Sequence, residues 1–196
     1  LCKMPQQLSS GTRFSTLTSP RLVVELAGED ANQATVAAAL TAEGPVSLTF
    51  YIESSDANEP NAVAVPVTVT AQRQARFLPD SNQVVFDGNC LCVMPQGPSS
   101  TEHGYVLSAP RLTVNLASQT EAAREGLGDV IAAGPAELTF YVEPFGSTVD
   151  KRQLLPATLT AHKQAAFLAR SNQVVFEGDC FCSMTEQDPN GRQQQY

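Results

Sequence analysis

The chain has 196 residues with a formal net charge of −8, no tryptophan and five cysteines. That length accommodates one large or two ordinary domains, and the acidic charge, spread over both halves, disfavours nucleic acid or an anionic membrane as partner. No apolar run approaches the ~20 residues that a membrane-spanning helix needs, and no Asn-x-Ser/Thr sequon is present.

The string GNCLCVMPQ, Gly88 to Gln96, organises everything around it. GDCFCSM recurs 90 positions downstream, from Gly178 to Met184, and LCKMPQ at Leu1 to Gln6 matches LCVMPQ at Leu91 to Gln96. Ser19–Cys92 aligns with Ala109–Cys182 without a gap, and roughly two positions in five are identical, which marks a duplication. The period divides the chain into a first module, 1–91, a second, 92–181, and a remainder, 182–196, that opens a further junction and runs into a polar tail. Because the chain starts in the middle of this pattern, Leu1 is expected to be a processing or excision point.

Taken in order, Gln6 to Ser10 is polar and turn-like, and Arg13–Thr18 and His103–Ser108 are short candidate strands. Arg21–Ala27 alternates, with Leu22, Val24 and Leu26 on one face; RLTVNLA keeps Leu112, Val114 and Leu116 there and lets the other face drift, as a half-buried strand does. The Ala-rich stretches Ala31–Leu40 and Glu121–Ile131 predict one short helix per module, weakened in the second by Gly126 and Gly128. SLTFYIE and ELTFYVE are the strongest strands, with Leu48, Phe50 and Ile52 inward. Ala62–Ala71 and Arg152–Ala161 form strands whose Pro66 and Pro156 predict an edge position or a bulge. Gln72–Leu78 and QVVF, at Gln83–Phe86 and Gln173–Phe176, complete each copy. Six or seven short strands in about 90 residues predict a mainly β fold, a tandem pair of small antiparallel Ig-like β-sandwich modules.

The cysteines stand at 2, 90, 92, 180 and 182, all at junctions. Closing each module end to end predicts bridges Cys2–Cys90 and Cys92–Cys180, leaving Cys182 unpaired or intermolecular. Each would close a loop of nearly 90 residues and stabilise by roughly 4–5 kcal/mol in the chain-entropy model. A ring within one Cys-x-Cys is sterically contorted, and thiolate-bound zinc lacks paired ligands at the usual spacing. Bridges imply an oxidising compartment, hence a secreted or cell-surface protein, or a periplasmic one.

Between the cysteines stands an apolar residue in every copy: Leu1, Leu91 and Phe181. Alternation points it away from both thiols, so it is expected at an inter-module interface, with a place in one module's own core as the alternative. Asp87 and Asn89, with Glu177 and Asp179, are oxygen ligands beside the junction that could hold calcium, but two side chains per site fall short of six to eight oxygens. The outward pairs Thr68/Thr70 and Thr158/Thr160 suit a partner strand or simply a solvated β-face; Tyr51 and Tyr141 suit a sugar platform or cross-strand packing.

Nucleophilic catalysis needs a serine or cysteine with a histidine and an acid. His103 aligns with Arg13 and His162 with Gln72, and no phosphate loop or HExxH motif occurs, so no enzymatic activity and no cofactor are expected. The expectation is a non-enzymatic extracellular structural protein: a stiff repeat rod, a filament subunit or an adhesin stalk. Its partners would be itself or another extracellular protein, recruited through the loops Gly28–Ala42 and Ser54–Ala62 or by β-augmentation at the strand carrying Pro66 or Pro156. A ligand-binding receptor ectodomain is the alternative.

Overall fold

The computed structural model describes residues 1–8, 11–27, 36–54, 63–95, 104–115, 129–142, 154–168, 173–187 and 193–195. The loop stretches expected to recruit partners at 28–35 and 55–62, and His103, lie outside the described residues. What is described is nearly all strand, arranged as an open antiparallel sheet.

The strands are β1 (Cys2–Leu8), β2 (Gly11–Thr18), β3 (Arg21–Ala27), β4 (Val36–Glu43), β5 (Val46–Ser54), β6 (Val63–Ala71), β7 (Gln74–Leu78) and β8 (Gln83–Pro95). They continue with β9 (Gly104–Asn115), β10 (Val130–Ala133), β11 (Ala136–Val142), β12 (Leu155–Ala161), β13 (Gln164–Leu168), β14 (Gln173–Glu177), β15 (Phe181–Gln187) and β16 (Gln193–Gln195). One ladder runs β1-β2-β5-β6-β8-β9-β11-β12-β15-β16, and a second runs β3-β4-β7-β8-β9-β10-β13-β14. The long strands β8 and β9 belong to both. Residues 83–87 of β8 pair with β7 and with 111–115 of β9, whereas β8 beyond Cys90 pairs with β6 and with 104–109 of β9.

The crossing from one ladder to the other is made by a β-bulge. Between Asp87 and Cys90, two residues of β8 oppose Pro110 of β9, and those two, Gly88 and Asn89, have φ of +90° and +45°. A Cβ on Gly88 would lie 2.8 Å from Cβ of Arg73, so only glycine fits both the dihedral and the space. Gly178 and Asp179 repeat these backbone angles, with φ of +80° and +44°. In each copy a tight turn docks on these residues: the Gln72 and Arg73 amides donate to Gly88 and Asp87 carbonyls, and the His162 and Lys163 amides to Gly178 and Glu177 carbonyls.

Register lines up the inward side chains in two rows that traverse both copies. In the second ladder, consecutive partners read Leu22, Ala42, Ala75, Phe86, Leu112, Ala132, Ala165, Phe176. In the first they read Cys2, Leu17, Leu48, Val69, Cys92, Leu107, Leu138, Leu159, Cys182. The inner members of both rows share one hydrophobic core. Along the second row, pairs of large residues alternate with pairs of alanines.

The sequence expectation of a helix at Ala31–Leu40 and Glu121–Ile131 is corrected wherever those residues are described. Val36–Leu40 belongs to β4 and Val130–Ile131 to β10, and no α-helix occurs among the described residues. Alanine's helix propensity is worth only tenths of a kcal/mol per residue; here ladder pairing of β4 with β3 and β7, and of β10 with β9 and β13, outweighs it. The edge-strand reading of Pro66 and Pro156 is corrected too. β6 is bonded on both sides, by β5 over 46–54 and by β8 over 91–93, and β12 lies likewise between β11 and β15. Each proline sits just beyond the last pair with β8 or β15, Thr68↔Val93 or Ala157↔Met184, where a missing N–H leaves no gap in that pairing. Around each proline the strand is bonded on one side, Pro66 to Tyr51 of β5 and Pro156 to Tyr141 of β11.

Candidate assembly interface

The repeat boundary is a seam of paired strands. Across it, Gln83, Val84, Val85, Phe86 and Asp87 oppose Asn115, Val114, Thr113, Leu112 and Arg111. The centre of the seam is apolar, with Phe86, Leu112 and Val114 fully buried. Polar pairs close both ends. Gln83 Nε2 donates to Asn115 Oδ1 at 2.9 Å, and Arg111 Nε donates to Asp87 Oδ1 at 2.7 Å.

Asp87 is the one buried carboxylate among the described residues, with 10% of its side chain exposed. Besides Arg111 it meets Arg73 at 3.7 Å and accepts a hydrogen bond from Gln74 Nε2 at 3.3 Å. Burial pushes its pKa up, but the hydrogen bonds from Arg111 and Gln74 and the charges of Arg111 and Arg73 outweigh that, and the carboxyl is held below its ordinary value. Asp87, one of the four oxygen ligands considered for calcium, is thus engaged by two arginines and a glutamine. Asn89 Nδ2 donates to Gln72 Oε1 at 2.9 Å and Glu177 accepts from Lys163 Nζ at 3.2 Å, so these groups clamp the turn onto the bulge. Among the described residues no three histidine, cysteine or acidic side chains form a metal-holding group.

All five cysteines are free thiols in this structure, so the expected bridges Cys2–Cys90 and Cys92–Cys180 are not formed. Strand order supplies the reason. Three strands, β2, β5 and β6, lie between β1 and the Cys90 stretch, and three more, β9, β11 and β12, lie between β8 and β15. With about 4.8 Å per strand step, these separations far exceed the Cα spacing of about 5.5 Å that a disulfide needs. The inward row uses Cys92 as a small apolar rung instead, packed between Val69 and Leu107.

Alternation then puts Leu91 on the outer face beside Thr70 and Ser108, and it is exposed, as are Leu1 and Phe181; the expected burial of these three between modules is corrected. The outward threonines pair with one another, Thr49 Oγ1 lying 3.2 Å from Thr68 Oγ1, and Tyr51 is half-buried with the Arg13 guanidinium 5.6 Å above its ring. Tyr51 thus packs within the sheet rather than presenting a clear face to a sugar.

Burial decides the thiols' reactivity. It raises Cys90, and it pushes Cys92 up to about 12, so neither carries thiolate at neutral pH. Cys180 and Cys182 are exposed. Iodoacetamide at pH 8 on the reduced, folded chain is expected to alkylate Cys180 and Cys182 rapidly and to leave Cys90 and Cys92 unmodified until denaturant is added. Peptide mass spectrometry over a time course reads this out, and rapid native labelling of Cys92 would contradict the assigned register.

Between the two ladders in the second copy lies an apolar cavity of about 180 Å³, walled by Cys92, Tyr105, Leu107 and Leu138 on one side and Phe167 and Val174 on the other. Comparison with known proteins returned no matching family model, no matching curated protein and no matching solved structure. Function is therefore argued from the seam itself.

Proposed function

We propose that the chain is a non-enzymatic structural protein, a stiff tandem-repeat rod or filament subunit in which two small β-sandwich modules are fused edge to edge. The observation that carries this reading is the seam: β8 and β9 run through the boundary and are hydrogen-bonded along eleven register pairs, from Gln83↔Asn115 to Pro95↔Gly104. A linker-joined pair of domains moves freely unless its interface is large and apolar; here bending the array would break a ladder and open an apolar core. Among the described residues, His162 is exposed, and its amide donates to the Gly178 carbonyl in the turn.

The experiment for rigidity is small-angle X-ray scattering on monomeric chain. A single elongated body, with a pair-distance distribution unchanged over a range of salt and temperature below melting, is expected. A profile that requires an ensemble of two independently tumbling halves would overturn the rod.

The cavity favours a second reading, a ligand-binding ectodomain that holds a small apolar molecule, because eight of its nine lining residues are apolar or thiol side chains, Tyr105 being the exception. A thermal shift of several degrees with one apolar probe such as benzene, and none with polar analogues, would move the assignment there.

A further inference from the structure

The internal seam is a template, and among the described residues both of its halves recur with one edge unpaired. β14 (QVVFE) repeats the 83–87 half of β8 and, among the described residues, pairs only with β13; β3 (RLVVE) repeats the 111–115 half of β9 and, among the described residues, pairs only with β4. Their burial shows what is missing. Val84 and Val114, which face each other across the seam, are 7% and 0% exposed, whereas their counterparts Val174 and Val24 are 40% and 50% exposed. Phe176 and Leu22, the ends of the Leu–Ala–Ala–Phe row, are likewise only half-buried while Phe86 and Leu112 are fully so.

We propose that β14 of one copy pairs antiparallel with β3 of a second copy of this chain, reproducing the internal seam and joining copies head to tail. Transposing the observed register sets Gln173, Val174, Val175, Phe176 and Glu177 against Glu25, Val24, Val23, Leu22 and Arg21. The chemistry is complementary at each rung. Glu177 meets Arg21 where Asp87 meets Arg111, Gln173 can donate to Glu25 where Gln83 donates to Asn115, and the valines and Phe176 against Leu22 close the apolar centre. Both charged residues are accessible for the exchange: Arg21 now pairs with Glu43 and Glu177 with Lys163, both on the surface.

The joint is heterologous, since β14 and β3 are different surfaces. It leaves a free β3 at one end and a free β14 at the other after every addition, so it propagates into a filament unless the rotation per copy closes a ring. The first ladder adds a constraint. β15 already occupies, against β12, the place that the Cys90–Pro95 stretch occupies against β6. One slot between β12 of one copy and β2 of the next is therefore served by two strands, β15 and the incoming β1, and joining releases one of them.

This inference rests on the rod reading for its purpose but on the seam for its geometry, and its test separates the two. Sedimentation velocity over a hundredfold concentration range, with negative-stain microscopy, is expected to show wild-type chain forming linear head-to-tail oligomers. Arg21→Glu and Glu177→Arg are each expected to weaken association at least about tenfold, and the double swap R21E/E177R to restore it, because every joint then carries the pair reversed. Val24→Lys, on a half-exposed edge position that leaves the monomer folded, is expected to abolish oligomers. Unchanged melting temperatures confirm folding throughout. Wild-type chain that stays monomeric, or oligomers indifferent to Val24→Lys and to the charge swap, would overturn the joint; a monomer that still scatters as one stiff body would leave the rod reading standing.

Discussion

Phe86→Ala is expected to destabilise the chain by about 3–5 kcal/mol, the range for removing a fully buried aromatic from a packed core. The size of the loss follows from the row it belongs to. Phe86 has Ala75 on one side and Leu112 on the other and is fully buried. Ala75 has no side chain long enough to collapse into the void, and Leu112 is held by its own ladder with Ala132 beyond it. Phe176 provides the internal control: it stands at the equivalent rung, beside Ala165, but at a free edge and half-buried. Phe176→Ala is expected to cost less than half as much. Urea midpoints for the two variants at equal m-value measure the comparison; equal losses would mean that the seam contributes no burial of its own.

That difference between chemically identical positions explains how far the sequence could be read. Alternation along one strand is a local signal, and it found the inward residues correctly: Leu48 and Phe50 in β5, Val65, Val67 and Val69 in β6, and Leu112 and Val114 in β9 are all buried. What a repeat cannot announce is which edge each strand pairs with, because register partners such as Asp87 and Arg111 lie far apart in the chain and either neighbour satisfies the same alternation. Three errors follow from that one gap. Cys-x-Cys looked like a covalent staple because it stood between strands, yet the stretch is itself a strand and Cys92 a rung of the core. Leu91 looked like packing between modules, but once the thiols face inward it faces solvent. Pro66 looked like an edge because a proline removes one donor, and it sits one or two residues past the end of a ladder that β6 nevertheless carries. Over Val36–Leu40 the expected helix is replaced by strand for a different reason: alanine serves either state, and pairing of β4 with β3 and β7 prevailed over a weak local preference.

Asp87 supplies the pH dependence of the seam. Its carboxylate accepts from Arg111 and Gln74 and faces Arg73, and these partners hold its pKa below the ordinary value despite burial. A carboxylate whose pKa is lower folded than unfolded contributes stability that is fully present above the unfolded value of about 3.9, and that contribution is lost as pH falls through the folded value. Asp87→Asn removes the charge but keeps the shape, and it is expected to cost about 2–3 kcal/mol at pH 7, the worth of hydrogen bonds to a charged group. Arg111 and Arg73 are both more than half exposed, so neither is left as a buried unpaired cation and the loss stops there. The gap between wild type and Asp87→Asn should therefore stay constant from pH 7 to about pH 5, narrow below the unfolded carboxyl value, and close once the native carboxyl itself protonates. Chemical denaturation at half-unit pH intervals follows it. A gap that persisted unchanged at pH 2 would show that the asparagine variant fails through packing, and the charge pair would then no longer account for how the two copies are held together.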